Sequence, residues 1–198
     1  MTLVLASQSH GRLAMLRAAG VDVVAEPALV DEDAIKRALA AEGAKPRDIA
    51  DALAEAKAVK VSRRNILATV LGCDTILASA EGVLFDKPET MAEAKAQLAA
   101  LSGKTHRLIV AAVVAEGGSA IWRMVDTAQL TMRPLSGEFI DNYVELYWEQ
   151  IRHCVGCYRI EAEGAQLFSH ISGSQFTIIG LPLLGLLDYL RTKGMMPI

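Results

Sequence analysis

The chain opens with apolar strands that alternate with helices, and this order restricts it to folds in which helices cover a sheet. Residues 2–6 predict a buried strand, and 21–30 predict a second strand followed by a turn. The spacing of apolar residues in 10–20 predicts a helix that ends at Gly20, and 45–64 predicts a longer helix that starts with Pro46. The first third of the chain therefore predicts a strand-helix-strand-helix arrangement.

The rest of the chain adds hairpins to this pattern. The apolar run 66–79 predicts a buried strand in which Asp74 stands at the end of the run and supplies a site. Residues 106–134 predict a long hairpin about two glycines. The other predicted helices are 90–103, 136–148 and Pro182–Lys193. We therefore expect an α/β fold with a mixed, twisted sheet flanked by helices, and a ligand where strand ends meet helix starts.

Composition limits the classes of protein that remain. With 198 residues and 52% hydrophobic content, the chain can fill a sizeable core, and without repeats or low-complexity linkers it predicts one domain over 1–198. A net charge of -3 argues against a nucleic-acid partner. No apolar segment has the length of a signal-peptide core or a membrane span, and three cysteines are an odd number. We expect a cytoplasmic protein without membrane association.

The turn after the first strand contains more polar groups than a chain reversal requires. The hydroxyls of Ser7 and Ser9 precede a helix whose dipole attracts anions, and Arg12 lies one turn into that helix. A planar guanidinium suits phosphate oxygens. The alternative is a helix cap followed by a solvated arginine.

Carboxylates at two places are candidate metal ligands. Adjacent acids at 31–33 follow the second strand and suit Mg²⁺ or Mn²⁺, although an acidic helix start gives the same pattern. Asp74 follows an apolar run, so burial would raise its pKa and make it a candidate base or metal ligand. Its alternative role is to cap a turn.

Cations and cysteines give weaker signals. Lys57 and Lys87 can each neutralise phosphate, and each is also typical of a surface lysine. Cys154 and Cys157 form a C-x-x-C pair, but zinc needs two further ligands, for which only Cys73 and scattered histidines remain. A redox or zinc module is therefore the least favoured function.

Taken in order, these stretches resemble the Maf family of nucleoside triphosphate pyrophosphatases. The resemblance covers nearly the whole chain, and the order of the motifs is more specific than any one of them. The family resemblance implies an inosine-triphosphatase-like fold with a central cleft between two lobes of a single domain. The matching stretches are LASQSHGR, VDED, LAEAKA, GCDT, DKP, LSGKTH, IDNYV, GCYRIEAEG and IIGLPL.

The resemblance also implies a chemistry. Water attacks the α-phosphorus of a nucleoside triphosphate, which yields the monophosphate and pyrophosphate. Asp74 would accept the proton of the water or, together with Glu32, hold a divalent cation, Mg²⁺ or Mn²⁺, that acidifies it. The implied substrate-binding side chains are Ser7, Ser9, Arg12, Lys57 and Lys87.

Three positions match the residues with which the family discriminates between bases: Gly11, Thr75 and Glu161. Members that act on dTTP and UTP carry Arg, Thr and Gln there, and those that prefer 7-methyl-GTP carry Trp, Gln and Glu. This chain mixes both patterns, because Thr75 matches the first group and Glu161 the second. His10 and Gly11 also replace the proline and first arginine of the family's opening motif.

We therefore expect a house-cleaning hydrolase that removes non-standard or modified nucleotides, with a purine such as 7-methyl-GTP favoured. A carboxylate at 161 can accept hydrogen bonds from guanine and pair with a methylated, positively charged ring. The alternatives are a dTTP/UTP pyrophosphatase and a non-catalytic nucleotide-binding regulator of cell division. A homodimer is implied by the resemblance alone.

Overall fold

The computed structural model describes residues 2–197 and combines seven strands with seven helices and one 3₁₀ turn within that range. The strands are β1 (Leu3–Leu5), β2 (Val23–Ala25), β3 (Thr69–Ser79), β4 (Leu84–Phe85), β5 (Thr105–Glu116), β6 (Ser119–Met132) and β7 (Phe168–Ser172). The helices are α1 (His10–Ala18), α2 (Glu32–Ala41), α3 (Pro46–Ser62), α4 (Met91–Leu101), α5 (Gly137–Ile151), α6 (Gln175–Ile179) and α7 (Leu183–Thr192); the 3₁₀ turn is Glu163–Leu167.

Strand pairing in both directions confirms the predicted mixed sheet. β1 pairs in parallel with β2 and β3, as strand-helix-strand connections require. β4 pairs antiparallel with β3, and β7 with β6. β5 and β6 are neighbours joined by Gly117 and Gly118, both at positive φ, which confirms the predicted hairpin.

The chain divides into two compact units. The first contains the described residues up to Thr75, Val110–Asp126 and the described residues from Gly180 onward; the second contains Ile76–Ile109 and Thr127–Ile179. A small apolar cluster around Val4, Val61 and Val70 lies in the first unit. A larger core that includes Leu98, Leu130 and Tyr143 lies in the second. The expectation of one domain with a central cleft stays a prediction.

Several predicted helix ends are confirmed to within two residues. α1 starts after Ser9 and is followed by Gly20 at φ +80°, which an L side chain rarely adopts. α7 begins after Pro182 and ends before Lys193. Among residues 2–197, no helix is both long and apolar enough to cross a membrane.

The expected position of Asp74 at a strand end is wrong. β3 continues for five residues beyond it to Ser79, so Asp74 lies in the middle of the strand. Ile76, Leu77 and Ala78 are buried and keep the strand in place. A lysine pairs with the carboxylate there, and a paired charge can be buried within a strand without ending it.

Candidate active site

The sequence places Lys57 on the buried face of α3. Ile49, Leu53 and Val61 recur at four-residue spacing with Lys57, and all four are buried. Pro46 at the start of the helix fixes the backbone there without losing a hydrogen bond. The lysine ammonium is therefore directed inward with the apolar side chains.

A glycine in β3 brings α3 close to the strand. A Cβ atom on Gly72 would lie 2.1 Å from the carbonyl oxygen of Ala54 and 2.6 Å from the amide nitrogen of Ala58, so the helix backbone occupies the space of a side chain. Gly72 and Asp74 are two residues apart and share one face of the strand. The close approach thus lets Lys57, the neighbour of Ala58, reach Asp74.

Lys57 links two carboxylates in the first unit. Its Nζ lies 2.6 Å from Oδ1 of Asp74 and 2.9 Å from Oε1 of Glu32. Asp74 and Lys57 are nearly buried, whereas the Glu32 side chain is 39% exposed. Burial raises the pKa of Asp74, and the nearby ammonium of Lys57 opposes that rise. The cluster carries one net negative charge when all three groups are ionised.

One oxygen of this cluster lacks a hydrogen-bond partner among the described residues. Oδ2 of Asp74 is buried and has no hydrogen-bond partner among the described residues. A buried carboxylate oxygen without a donor is costly unless water, a cation or substrate completes it. Oδ2 is therefore a candidate acceptor for a ligand.

The acidic segment 31–33 divides its carboxylates between a cap and the site. Asp31 is the N-cap of α2, where its Oδ1 accepts a hydrogen bond from the amide of Ala34 at 2.9 Å. Glu32 is the first helical residue and contacts Lys57. Asp33 is exposed. The interpretation as a helix start is therefore confirmed at Asp31, and the interpretation as a metal ligand stays a prediction for Glu32.

The serines of the opening turn order the start of α1. Ser9 is the N-cap, and its hydroxyl accepts a hydrogen bond from the amide of Arg12. The hydroxyl of Ser7 accepts from the amide of Ser9 at 3.1 Å. Gly11 is the second residue of the helix and is half-buried. This N-terminus presents amide groups as an anion site would.

Arg12 is held by the protein rather than solvated. Its Nε donates to the carbonyl of Gly180 at 2.7 Å, and its Nη2 donates to the Thr75 hydroxyl at 2.9 Å. Its Nη1 lies 3.3 Å from the carbonyl of Cys73 and 3.4 Å from the hydroxyl of Ser7. Arg12, Ser7 and Thr75 therefore form one network beside Asp74.

The remaining site candidates, Lys87 and Glu161, belong to the second unit, and both are exposed. They share a neighbourhood with Cys154. Burial raises the pKa of Cys154 to about 11, and among the nearby charges Glu161 adds to this rise whereas Lys87 opposes it. A cation and a carboxylate thus lie within electrostatic reach of one thiol.

Glu32 and Asp74 fit a divalent cation that keeps waters or phosphates as its other ligands. Mg²⁺ in such sites is held by one or two carboxylates together with substrate phosphates. No group of three or more His, Cys, Asp or Glu side chains suited to a metal occurs in residues 2–197. Two carboxylates and the orphan oxygen of Asp74 match this sparse type of site.

The cysteine pair does not match a zinc or redox centre. Cys154 and Cys157 are free thiols, and burial raises the pKa of Cys157 to about 12. The raised pKa values disfavour the thiolate that thiol exchange needs. No group of three or more His, Cys, Asp or Glu side chains suited to zinc includes this pair in the described range 2–197.

Sequence reasoning missed two backbone carbonyls that hold Arg12. The carbonyl oxygens of Cys73 and Gly180 come from β3 and from the segment just before α7. Backbone acceptors leave no side-chain pattern. The only available signal was the glycine inside the apolar stretch IIGLPL.

The chain matches proteins of known class over its full length. A family model described as Maf-like protein matches residues 2–193. The chain is 51% identical to a nucleoside triphosphate pyrophosphatase of Sphingopyxis alaskensis, with 100% of both chains covered. It is 50% identical to a 7-methyl-GTP pyrophosphatase of Mesorhizobium japonicum over 97% of this chain and 96% of the relative. A HAM1 protein structure from Coxiella burnetii shares the fold, with a TM-score of 0.53, 16% identity and coverage of 98% and 99% of the two chains.

Proposed function

The chain belongs to the Maf family and is a nucleoside triphosphate pyrophosphatase, and we propose that its substrate is a modified purine nucleotide of the 7-methyl-GTP type. The similarity to relatives over the whole chain supports the reaction class. The substrate is supported by Glu161 and by the Mesorhizobium japonicum relative, which is named for 7-methyl-GTP. A cytoplasmic location and a homodimer stay predictions.

Asp74 is proposed as the group that accepts the proton of the attacking water. Its Oδ2 is buried and unpartnered among the described residues, and this observation carries the assignment. The pair with Lys57 holds the carboxylate in one orientation and favours its ionised form. Water attacks the α-phosphorus, the bond to the bridging oxygen of the β-phosphate breaks, and pyrophosphate leaves.

Glu32 and Asp74 would hold Mg²⁺ or Mn²⁺. When bound, the cation supplies Lewis-acid stabilisation of charge that develops on phosphate oxygens. Lys57 pairs with both carboxylates, and its positive charge offsets the repulsion between them. The charges of Glu32, Asp74 and Lys57 together set the net charge next to the proposed cation.

The triphosphate is proposed to bind at the start of α1 and to three cations. Ser7 and Ser9 shape a helix N-terminus whose amides can donate to phosphate oxygens. Arg12 is already oriented by its network, so little side-chain entropy is lost when it binds. Lys57 and Lys87 are the other two proposed cations.

Glu161 is proposed to choose the base. A carboxylate accepts hydrogen bonds from the Watson-Crick N–H groups of guanine and attracts the positive charge of a 7-methylated ring. The family resemblance implies that Gly11 stands where members of either type carry a large side chain. Thr75 contributes less directly, because its hydroxyl already accepts a hydrogen bond from Arg12.

A nucleotide panel with Mg²⁺ or Mn²⁺ tests this proposal through pyrophosphate release. We expect 7-methyl-GTP to have the highest kcat/KM. The variant Glu161→Gln should lower kcat/KM for 7-methyl-GTP by a larger factor than kcat/KM for UTP. Glu138→Gln, an exposed carboxylate of the same unit, is the charge-matched control. A panel led by dTTP and UTP would replace the proposed substrate, and tight binding without turnover would support the regulator instead.

A further inference from the structure

Arg12 makes four hydrogen-bond contacts of two kinds. The bonds from Nε to Gly180 and from Nη2 to Thr75 are short, at 2.7 and 2.9 Å. The two contacts of Nη1, to Cys73 and Ser7, are longer, at 3.3 and 3.4 Å. A guanidinium has five N–H groups in a fixed plane, so the two short bonds are enough to set its orientation. The Nη1 donors can then exchange their long contacts for stronger bonds to phosphate.

All four acceptors are neutral oxygens, either carbonyls or hydroxyls. They orient Arg12 without cancelling its charge, unlike the carboxylates that surround Lys57. An arginine fixed by neutral groups keeps its full attraction for an anion. The network therefore has the chemistry of a preorganised phosphate-binding group.

Gly180 is the part of this network that a side chain would disrupt. Its φ is +118°, a conformation that L side chains rarely adopt. A Cβ there would lie 3.0 Å from Nε and 3.2 Å from Nη2 of Arg12, and 3.3 Å from the Thr75 hydroxyl. These distances are shorter than ordinary van der Waals contact, so the guanidinium would have to move.

Packing of the segment that contains Gly180 also holds its carbonyl group in place. Gly180 and the following Leu181 are buried, and α7 begins two residues further on. Leu183, Leu186 and Leu190 of that helix are buried and anchor it. The acceptor thus comes from a segment that is packed into the core rather than from a free loop.

We propose that Gly180 is a positioning residue of the active site, which turns Arg12 toward the triphosphate through its carbonyl and through the absence of a side chain. The proposal rests on the proposed function, because it assigns the oriented guanidinium to phosphate binding. It gives the IIGLPL stretch a role in the reaction. Since every substrate has the same triphosphate, the effect of Gly180 is independent of the base.

A double-mutant cycle tests whether Gly180 acts through Arg12. We expect Gly180→Ala to lower kcat/KM about 10- to 100-fold, by the same factor for 7-methyl-GTP and UTP, because a small misplacement of a binding group has this effect. In an Arg12→Lys background, which lacks the planar fork, Gly180→Ala should cost less than about threefold, since coupled residues are not additive. Additive losses would overturn the proposal.

The control separates backbone strain from contact. Gly20 also has a positive φ, +80°, and a Cβ there would meet nothing within 4 Å. It follows the helix that carries Arg12. We expect Gly20→Ala to lower thermal stability but to change kcat/KM by less than about twofold. An equal loss of activity in this variant would reduce Gly180 to a structural glycine and overturn the proposal.

A second measurement is independent of turnover. In ¹H–¹⁵N spectra of the side-chain Nε groups, Arg12 should give a signal protected from exchange with water in the wild type and in Gly20→Ala. The same signal should shift and exchange faster in Gly180→Ala. An unchanged Arg12 signal in Gly180→Ala would overturn the proposal about Gly180, whatever the activity. A wild type that released no pyrophosphate would contradict only the proposed function.

Discussion

Each of the two compact units buries a cluster of titratable side chains. The groups of the first cluster are ionised, and those of the second are neutral. In the first unit, Lys57 and Asp74 are buried as an ion pair with a 2.6 Å contact. The partly exposed carboxylate of Glu32 also pairs with Lys57. In the second unit, Nε2 of His106 lies 2.8 Å from the hydroxyl of Tyr158, and burial lowers the pKa of His106 to about 4. The histidine is therefore neutral near pH 7.

The surroundings explain the difference. His106 packs against the rings of Tyr158 and Phe168, with centroids 5.7 and 5.9 Å away, and burial is the cause of its lowered pKa. Asp74 has Lys57 beside it and leaves one oxygen without a partner among the described residues. A buried ion pair is seldom worth more than apolar packing, so its retention points to function. The neutral cluster is explained by packing alone.

The largest effect should come from Asp74→Asn, which removes the proton acceptor while keeping the shape of the side chain. Pyrophosphate release should fall ~10²–10⁴-fold, as loss of a general base typically does. The variant should remain folded, because Lys57 keeps its contact with Glu32. The matched change in the other cluster is His106→Gln, which should lower the unfolding temperature and leave kcat within a factor of about three. Comparable activity losses in both would remove the distinction between the clusters.

Acid should destabilise the protein through His106. Its pKa is about 4 when folded and about 6.5 when unfolded, so the unfolded state binds the proton first as the pH falls. The contribution of neutral His106 to the free energy of unfolding is fully present above pH 6.5. It is lost as the pH falls toward 4, by about 3 kcal/mol in total. Burial raises the pKa of Asp74, which has the opposite sign and favours the folded state in acid.

Urea unfolding between pH 7 and pH 5 measures the part of this loss of stability that His106 causes there, because most carboxylates stay ionised in that range. His106→Gln should show a flatter pH dependence than the wild type over the same range. If both slopes were equal, the acid sensitivity would originate elsewhere and His106 would not be the neutral counterpart of the Lys57 cluster.

The sequence predicted many of the elements for a physical reason. Ile49, Leu53 and Val61 recur at helical spacing and predicted α3, whereas Lys57 was equally typical of a surface lysine and its burial follows from the structure. The sequence also predicted the hairpin and the last helix from glycine and proline. The resemblance to the family named the same lysine and carboxylates before their contacts were known.

Other features depend on tertiary contacts that sequence patterns do not encode. Asp74 was expected at a strand end, because an unpaired charge would end a buried run, but its pairing with Lys57 is a long-range contact. The division of 31–33 into one cap and one site residue depends on where α3 lies. The carbonyl of Gly180 carries no signature in its side chain.

Gly72→Ala should show how tightly the first cluster depends on its backbone. A Cβ there would lie 2.1 Å from a carbonyl oxygen of α3, so helix and strand must separate. The expected loss is about 2–3 kcal/mol in urea unfolding, typical of overpacking, with a fall in activity as Lys57 moves away from Asp74. Gly137→Ala, where a Cβ meets nothing within 4 Å, should change stability by less than about 0.5 kcal/mol. A Gly72 variant as stable and active as wild type would contradict the close approach.

The smallest effect should come from Tyr158→Phe in the second cluster. The change removes the hydroxyl 2.8 Å from Nε2 of His106 and leaves that nitrogen buried, while Nδ1 already has no partner among the described residues. The cost should be about 1–2 kcal/mol in urea unfolding, the range for a buried polar group that loses its partner. Tyr147→Phe, at a half-buried tyrosine of α5, is the control and should cost less.

The activity of Tyr158→Phe decides how separate the two clusters are. Tyr158 stands three residues before Glu161, the proposed base-selecting carboxylate. If the His106 cluster only packs, the variant keeps the wild-type ratio of kcat/KM for 7-methyl-GTP and UTP, because no charge near Glu161 changes. A shift in that ratio without a loss of total activity would mean that the neutral cluster positions the loop of Glu161. The comparison would then be between a cluster that acts on the phosphate and one that acts on the base.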